Sequence, residues 1–201
     1  MPARFAIVFF VLFTSCYSSI NPLRKEIKRL NSLDEQTDTS YVYALPYEEG
    51  KTFRIVQGYF SQFSHRERAA LDFNMKPGTR IAAARGGVVI RKKEDGDRGG
   101  LNKKLRSYGN YIVIQHPDGS RAGYWHLSKD RVFVNVGDTV STGEVIGLSG
   151  QTGYAAFPHL HFLVWRLDSG QRLVQVPTRF QTAKGIRYLK FWTRYKKGKG
   201  I

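Results

Sequence analysis

Residues 108–127 read YGNYIVIQHPDGSRAGYWHL. The β-branched and aromatic run from Tyr111 to Ile114 is broken by Pro117, Asp118 and Gly119 and resumes in GYWHL, the pattern of two β-prone segments parted by a tight turn. Outward from it the same texture recurs in FRIVQGYF (53–60), TRIAAARGGVVIRKK (79–93), DTVSTGEVIGLSG (138–150) and HLHFLVW (159–165). No helical period separates these runs, so the chain is expected to be mainly β, an antiparallel sheet domain. Gly137, Gly143, Gly147, Gly150 and Gly153 mark further turns, and the polar, glycine-rich residues 94–109 form a long excursion that could wall a cleft.

The chain has 201 residues, enough for one domain plus tails. Hydrophobic residues at 41%, with 13 Phe and 11 Tyr, supply a core and exclude disorder throughout. One Cys rules out a disulfide framework and a CxxC metal site, so any metal must rest on carboxylates and the five His. The net charge is +16, and residues 167–201 hold nine basic residues against Asp168 alone, so half of the excess lies there. Such a balance suits polyanions: nucleic acid, anionic lipid or anionic wall polymers. No helix-turn-helix, zinc-finger or RNA-recognition motif is present, which argues against nucleic acid. Tyr188, Phe191, Trp192 and Tyr195, interleaved with the cations, fit contact with an anionic wall or membrane surface.

Arg4 precedes nine apolar residues, Phe5–Phe13, too short a run to span a bilayer and the length of a signal-peptide core. Thr14 and Ser15 before Cys16 resemble a bacterial lipoprotein processing site, where the cysteine takes the lipid. The expected layout is a signal segment 1–16, with export to the periplasm or cell envelope and a lipid anchor at Cys16. A spacer 17–50 follows, holding a short helix that begins near Asn21-Pro22. The β domain covers 51–166, and a basic C-terminal extension covers 167–201.

The histidines carry the chemistry. Residues two apart in a strand share a face, so His159 and His161 look into one space while Leu160 and Phe162 face the core. Ser64-His65, with Asp72 in ALDF seven residues on, and His126 in YWHL complete the group. Two imidazoles and a carboxylate are a ligand set for catalytic zinc that leaves a fourth position for water. His116, beside Pro117, Asp118 and Gly119, reads as structural. Trp125 is expected in the core because alternation sets it opposite His126, with Tyr124 or Trp125 as candidates for a groove wall. Asn110 reads either as a turn residue or as one that orients a ligand.

In this order, SH…ALDF, KPGTRIAAARGGVVI, YGNYIVIQHPDGSRAGYWHL, VNVGDTVSTGEVIGLSGQTG and PHLHFLVW, the motifs resemble the lysostaphin-type zinc endopeptidases that cut peptides in bacterial cell walls. The resemblance covers about residues 53–166. It implies a barrel-sandwich-hybrid β fold, one Zn²⁺ held by His65, Asp72 and His161, and His126 and His159 as catalytic residues that do not bind the metal. The implied substrates are peptidoglycan stem or cross-bridge peptides. One departure stands out: the family's commonest first motif sets Asp four residues after His, whereas here the spacing is seven. The three extra residues must bulge away for both side chains to meet, and Glu67 is an alternative oxygen ligand. Two competing readings remain. A wall-binding or amidase-activating module of the same fold would usually lack some of these side chains, all of which are filled here. A lipoyl-type carrier, suggested by VNVGDTVSTGEVIG, needs a lysine at a hairpin tip and no histidine cluster.

Overall fold

The computed structural model describes residues 41–199. The expected signal segment, Cys16 and the expected helix near Asn21-Pro22 lie outside the described residues. The strands in chain order are β1 (Val42–Ala44), β2 (Thr52–Gln57), β3 (Ala70–Asn74), β4 (Arg80–Ala82), β5 (Gly87–Lys93), β6 (Gly99–Gly100), β7 (Asn110–Gln115) and β8 (Arg121–Val132). They continue with β9 (Thr139–Val140), β10 (Val145–Ser149), β11 (Gly153–Tyr154), β12 (His159–Leu167), β13 (Leu173–Val176), β14 (Arg179–Thr182), β15 (Gly185–Tyr188) and β16 (Arg194–Lys196). A short 3-10 helix, Lys103–Tyr108, sits in the polar excursion.

The mainly β expectation holds. The principal sheet runs β16-β2-β3-β12-β8-β7-β5-β9, with β13 beside the far end of β12 and β10 bridging β4 and β8. Every pair in it is antiparallel. The quoted hairpin is β7 and β8, and β8 is long enough, at 12 residues, to leave the sheet's centre and reach β10 through Leu127 and Val132. Through that bend Ile81, Val132 and Ile146 share one core with Ile112, Ile114, Tyr124, Leu160 and Phe162. Phe162 has its ring 5.2 Å from Tyr124 and 5.7 Å from Phe180. Burying side chains of this size contributes about 1.5–3 kcal/mol each. Alternation along β12 puts Leu160, Phe162 and Val164 on the core side and His159, His161, Leu163 and Trp165 on the opposite face.

Residues beyond 167 are woven into the domain rather than appended to it. β13 pairs with β12, β14 with β1 and β15, and β16 with β2. Phe180, Leu189 and Tyr195 are core residues, and the main-chain oxygen of Tyr195 accepts a 2.7 Å bond from the Tyr47 hydroxyl. Apolar side chains among the cations explain this: they buy burial that a solvated tail could not have. Phe191 and Trp192 stay exposed, with Arg54 stacked 4.5 Å over the Trp192 ring.

His116 is a core-lining residue on the turn side of the β7–β8 hairpin, 2% exposed, and its Nδ1 lies 2.8 Å from the carbonyl oxygen of Gly86. The Nδ1–H therefore donates, and Nε2 is buried without a partner. Burial pushes its pKa down to about 4, against 6.5 for the free side chain. The folded ring thus stays neutral between pH 6.5 and 4 while the unfolded chain takes up a proton there. Stability should fall as pH drops through that window, by up to about 3 kcal/mol, and level off below it. Asn in place of His116 keeps a donor toward Gly86 and cannot titrate. Unfolding free energies from urea titrations at pH 7 and pH 4.5 should therefore separate by about 2 kcal/mol less in His116→Asn than in the parent, and equal separations would refute the assignment.

Candidate active site

Antiparallel pairing of β3 with β12 sets His161 directly across from Asp72, so ALDF and HLHF place the carboxylate and the imidazole side by side on one face. His65 reaches them from the loop between β2 and β3. The His161 Nδ1 lies 2.8 Å from Asp72 Oδ1, and the His65 Nε2 lies 3.3 Å from each of those two atoms. All three residues offer ligand atoms within 4.8 Å of one another. Ligand bonds of about 2.0–2.2 Å in a tetrahedral zinc site put neighbouring donor atoms roughly 3.3 Å apart, so the spacing and the nitrogen–oxygen donor set both suit such an ion. The seven-residue spacing is absorbed by Arg66, Glu67 and Arg68, which are exposed, while the loop is tied back by the Phe60 amide donating to the Arg68 carbonyl at 2.9 Å. Glu67 is not part of the cluster.

The cluster is buried and braced. His65 and Asp72 are each 1% exposed. His65 Nδ1 faces the Gly58 carbonyl at 3.2 Å, and its Nε2 turns toward Asp72. Gln57, across from Asp72 in β2, donates from Nε2 to Asp72 Oδ2 at 2.7 Å and accepts the Ser64 amide at 3.1 Å. One side chain thus ties the His65 loop to the carboxylate, the kind of outer contact that orients metal ligands. Burial opposes ionisation of Asp72, but hydrogen bonds with His161 and His65 outweigh it and hold the carboxyl well below its ordinary range. Burial pushes the His161 pKa down despite the same carboxylate. Gln57 went unnoticed in the sequence; its only signal was its alternation with Ile55 in a strand that would have to pair with ALDF.

His126 and His159 stand beside this group with ring centroids 4.6 Å apart. His159 Nδ1 lies 2.8 Å from the Phe157 carbonyl, and His126 Nδ1 lies 2.7 Å from the Thr152 carbonyl. Both rings therefore carry their proton on Nδ1 when neutral and present a bare Nε2. His159 Nε2 is 3.7 Å from Asp72 Oδ1. Burial pushes the His126 pKa down to about 3, so that ring is neutral at ordinary pH.

His126 owes its direction to backbone geometry. Its φ is +65°, and the β7 register slips there: Asn110 pairs with Leu127 but Tyr111 with Trp125. A bulge with one extra residue in the left-handed region re-aims a side chain. This corrects the expectation for Trp125. Trp125 lies across from His161 in the β8–β12 pairing, half-buried, with its ring 5.9 Å from the His161 ring. Strict alternation fails at the bulge, so Trp125 and His126 serve the same face. Tyr124 is the core residue of the pair, and its hydroxyl accepts the Ala84 amide at 2.8 Å. Asn110 is fully buried and pins the polar excursion, donating to the Gly96 and Leu127 carbonyls at 2.9 and 3.3 Å.

Residues 66–174 match the family model described as Peptidase family M23, a stretch that contains Asp72, His126, His159 and His161 and begins just after His65. Peptidoglycan DD-endopeptidase ShyA of Vibrio cholerae is 40% identical over 91 residues, 45% of this chain and 18% of that protein. The glycyl-glycine endopeptidase ALE-1 of Staphylococcus capitis is 36% identical over 116 residues, 57% of this chain and 29% of that protein. Lysostaphin of Staphylococcus simulans is 40% identical over 93 residues, 46% of this chain and 17% of that protein. The chain thus spans less than a third of the length of these curated relatives. With the match covering more than half of its residues, the chain belongs to peptidase family M23.

Proposed function

We propose that this chain is a zinc-dependent endopeptidase that hydrolyses peptides of bacterial peptidoglycan outside the cytoplasm. The supporting observation is the convergence of His65 Nε2, Asp72 Oδ1 and His161 Nδ1 within 3.3 Å of one another, next to two imidazoles with bare Nε2 atoms. In this reading His65, Asp72 and His161 hold the ion. When bound, it supplies Lewis acidity toward the scissile carbonyl and an activated water at neutral pH.

The chain's own residues do the rest. Asp72, locked by Gln57, keeps its charge where a cation needs it. His126, steered by the Thr152 carbonyl and kept neutral by burial, accepts a hydrogen bond at its bare Nε2, and His159, steered by the Phe157 carbonyl, accepts a proton there. Once protonated, His159 becomes an N–H donor for the developing oxyanion or the leaving amine. A non-catalytic wall-binding module would have no use for two such steered rings beside a complete donor set.

Metal analysis of the purified protein, followed by mass spectrometry of digested sacculi, tests the proposal. Stoichiometric zinc and newly freed peptide ends are expected, with loss of cleavage on chelation and recovery on adding zinc. Intact sacculi with the zinc-loaded protein would overturn it.

A further inference from the structure

The face that carries His161 continues into a groove. Cross-strand pairing puts Tyr111 beside Trp125, Val113 beside Gly123, and Arg121 beside both Gln115 and Trp165. Tyr111, Val113, Arg121, Trp125 and Trp165, with Arg91 and Leu173, line a cavity of about 360 Å³, within the usual size of ligand pockets. Trp125 bridges it to the candidate active site, with its ring 5.9 Å from His161 and 5.5 Å from Trp165. Gly123 makes the floor: a Cβ there would collide with the Trp125 ring and approach Trp165 to 3.0 Å.

Two guanidinium groups meet this aromatic slot. Arg91 lies 5.7 Å from the Tyr111 ring centroid and donates to its hydroxyl at 3.4 Å. Arg121 donates to Gln115 at 3.2 Å. Neither forms an ion pair with a carboxylate among the described residues. Other arginines of this basic chain, such as Arg80, Arg85 and Arg172, do have such partners. A concave site with indole walls and two unneutralised forks matches a residue with an aliphatic stem ending in a carboxylate.

We propose that this groove is a specificity subsite for a carboxylate-bearing residue of the peptide, with Arg91 and Arg121 taking the carboxylate and Trp125 and Trp165 flanking its stem. It rests on the peptidase function proposed above and narrows the substrate class: acidic peptides fill the groove, and glycine-only peptides leave it empty. From His161 to Trp165 is four residues of strand, roughly 13 Å, so the acidic residue sits about four residues of extended peptide from the scissile bond.

The test uses synthetic peptides that differ only in carrying a carboxylate or a carboxamide at one residue, scanned along the chain. At the matching position the zinc-loaded full chain should prefer the acid by about 10–100-fold in kcat/KM; with unchanged metal content the preference should shrink in Arg121→Gln and collapse to near unity when Arg91→Gln is added. Tryptophan fluorescence of the metal-free protein gives a second readout, because two of the three Trp line the groove. In a Trp192→Phe background the acidic peptide should shift the emission, and the amidated one should not. Equal rates and equal fluorescence responses for both peptides at every position would overturn the subsite and leave the peptidase function standing. Hydrolysis of neither peptide would instead count against the peptidase function, with the subsite still decided by the fluorescence arm.

Discussion

The His161→Ala protein is expected to be purified without metal and to leave sacculi uncut. His161 Nδ1 lies 2.8 Å from Asp72 Oδ1 and 3.3 Å from His65 Nε2, so its removal leaves two donors where a catalytic zinc site needs three. Disturbing only an outer partner of a metal ligand costs roughly 10–100-fold in affinity or activity; loss of a ligand should exceed that. The fold should survive, because His161 lies on the face of β12 away from the core while Leu160 and Phe162 hold the core side. Metal analysis, a sacculus digest and a thermal melt on the same preparation separate these effects. Zinc content equal to the parent's would reject His161 as a ligand.

The His159→Ala protein should behave differently: full zinc, unchanged melting, and a kcat lower by about 10²–10³, the cost of losing one positioned donor, or up to about 10⁴ if the ring is the acid–base group. The reasoning is geometric. His159 Nε2 stands 3.7 Å from Asp72 Oδ1, outside the three-atom cluster, and its Nδ1 is committed to the Phe157 carbonyl. Removing it empties no coordination position. His126→Ala should give the same split, because Thr152 holds its Nδ1 in the same way. Parallel loss of zinc and turnover in His159→Ala would make it a ligand and undo the division of roles.

Much of this site was legible because it depends on local periodicity. HLHF states by alternation that His159 and His161 share a face, and the pairing of its strand with ALDF then needs only one register to bring His161 opposite Asp72. The misreading of Trp125 has an equally definite cause. Alternation is a property of unbroken strands, and the left-handed His126 breaks β8 between the two residues in question. No residue type announces that bulge, since glycine would be the usual choice there.

Residue chemistry and spacing along the chain were enough to establish an antiparallel β domain and to set His159 and His161 on one face of a strand, because both follow from a two-residue repeat that needs no partner to be read. Three-dimensional packing settled the rest: the bracing of Asp72 by Gln57, the groove from Trp125 to Trp165, and the folding of the basic C-terminal strands into the core. Each of these joins segments remote in the chain, through contacts whose free energy exists only once sheet register and core burial have brought the segments together.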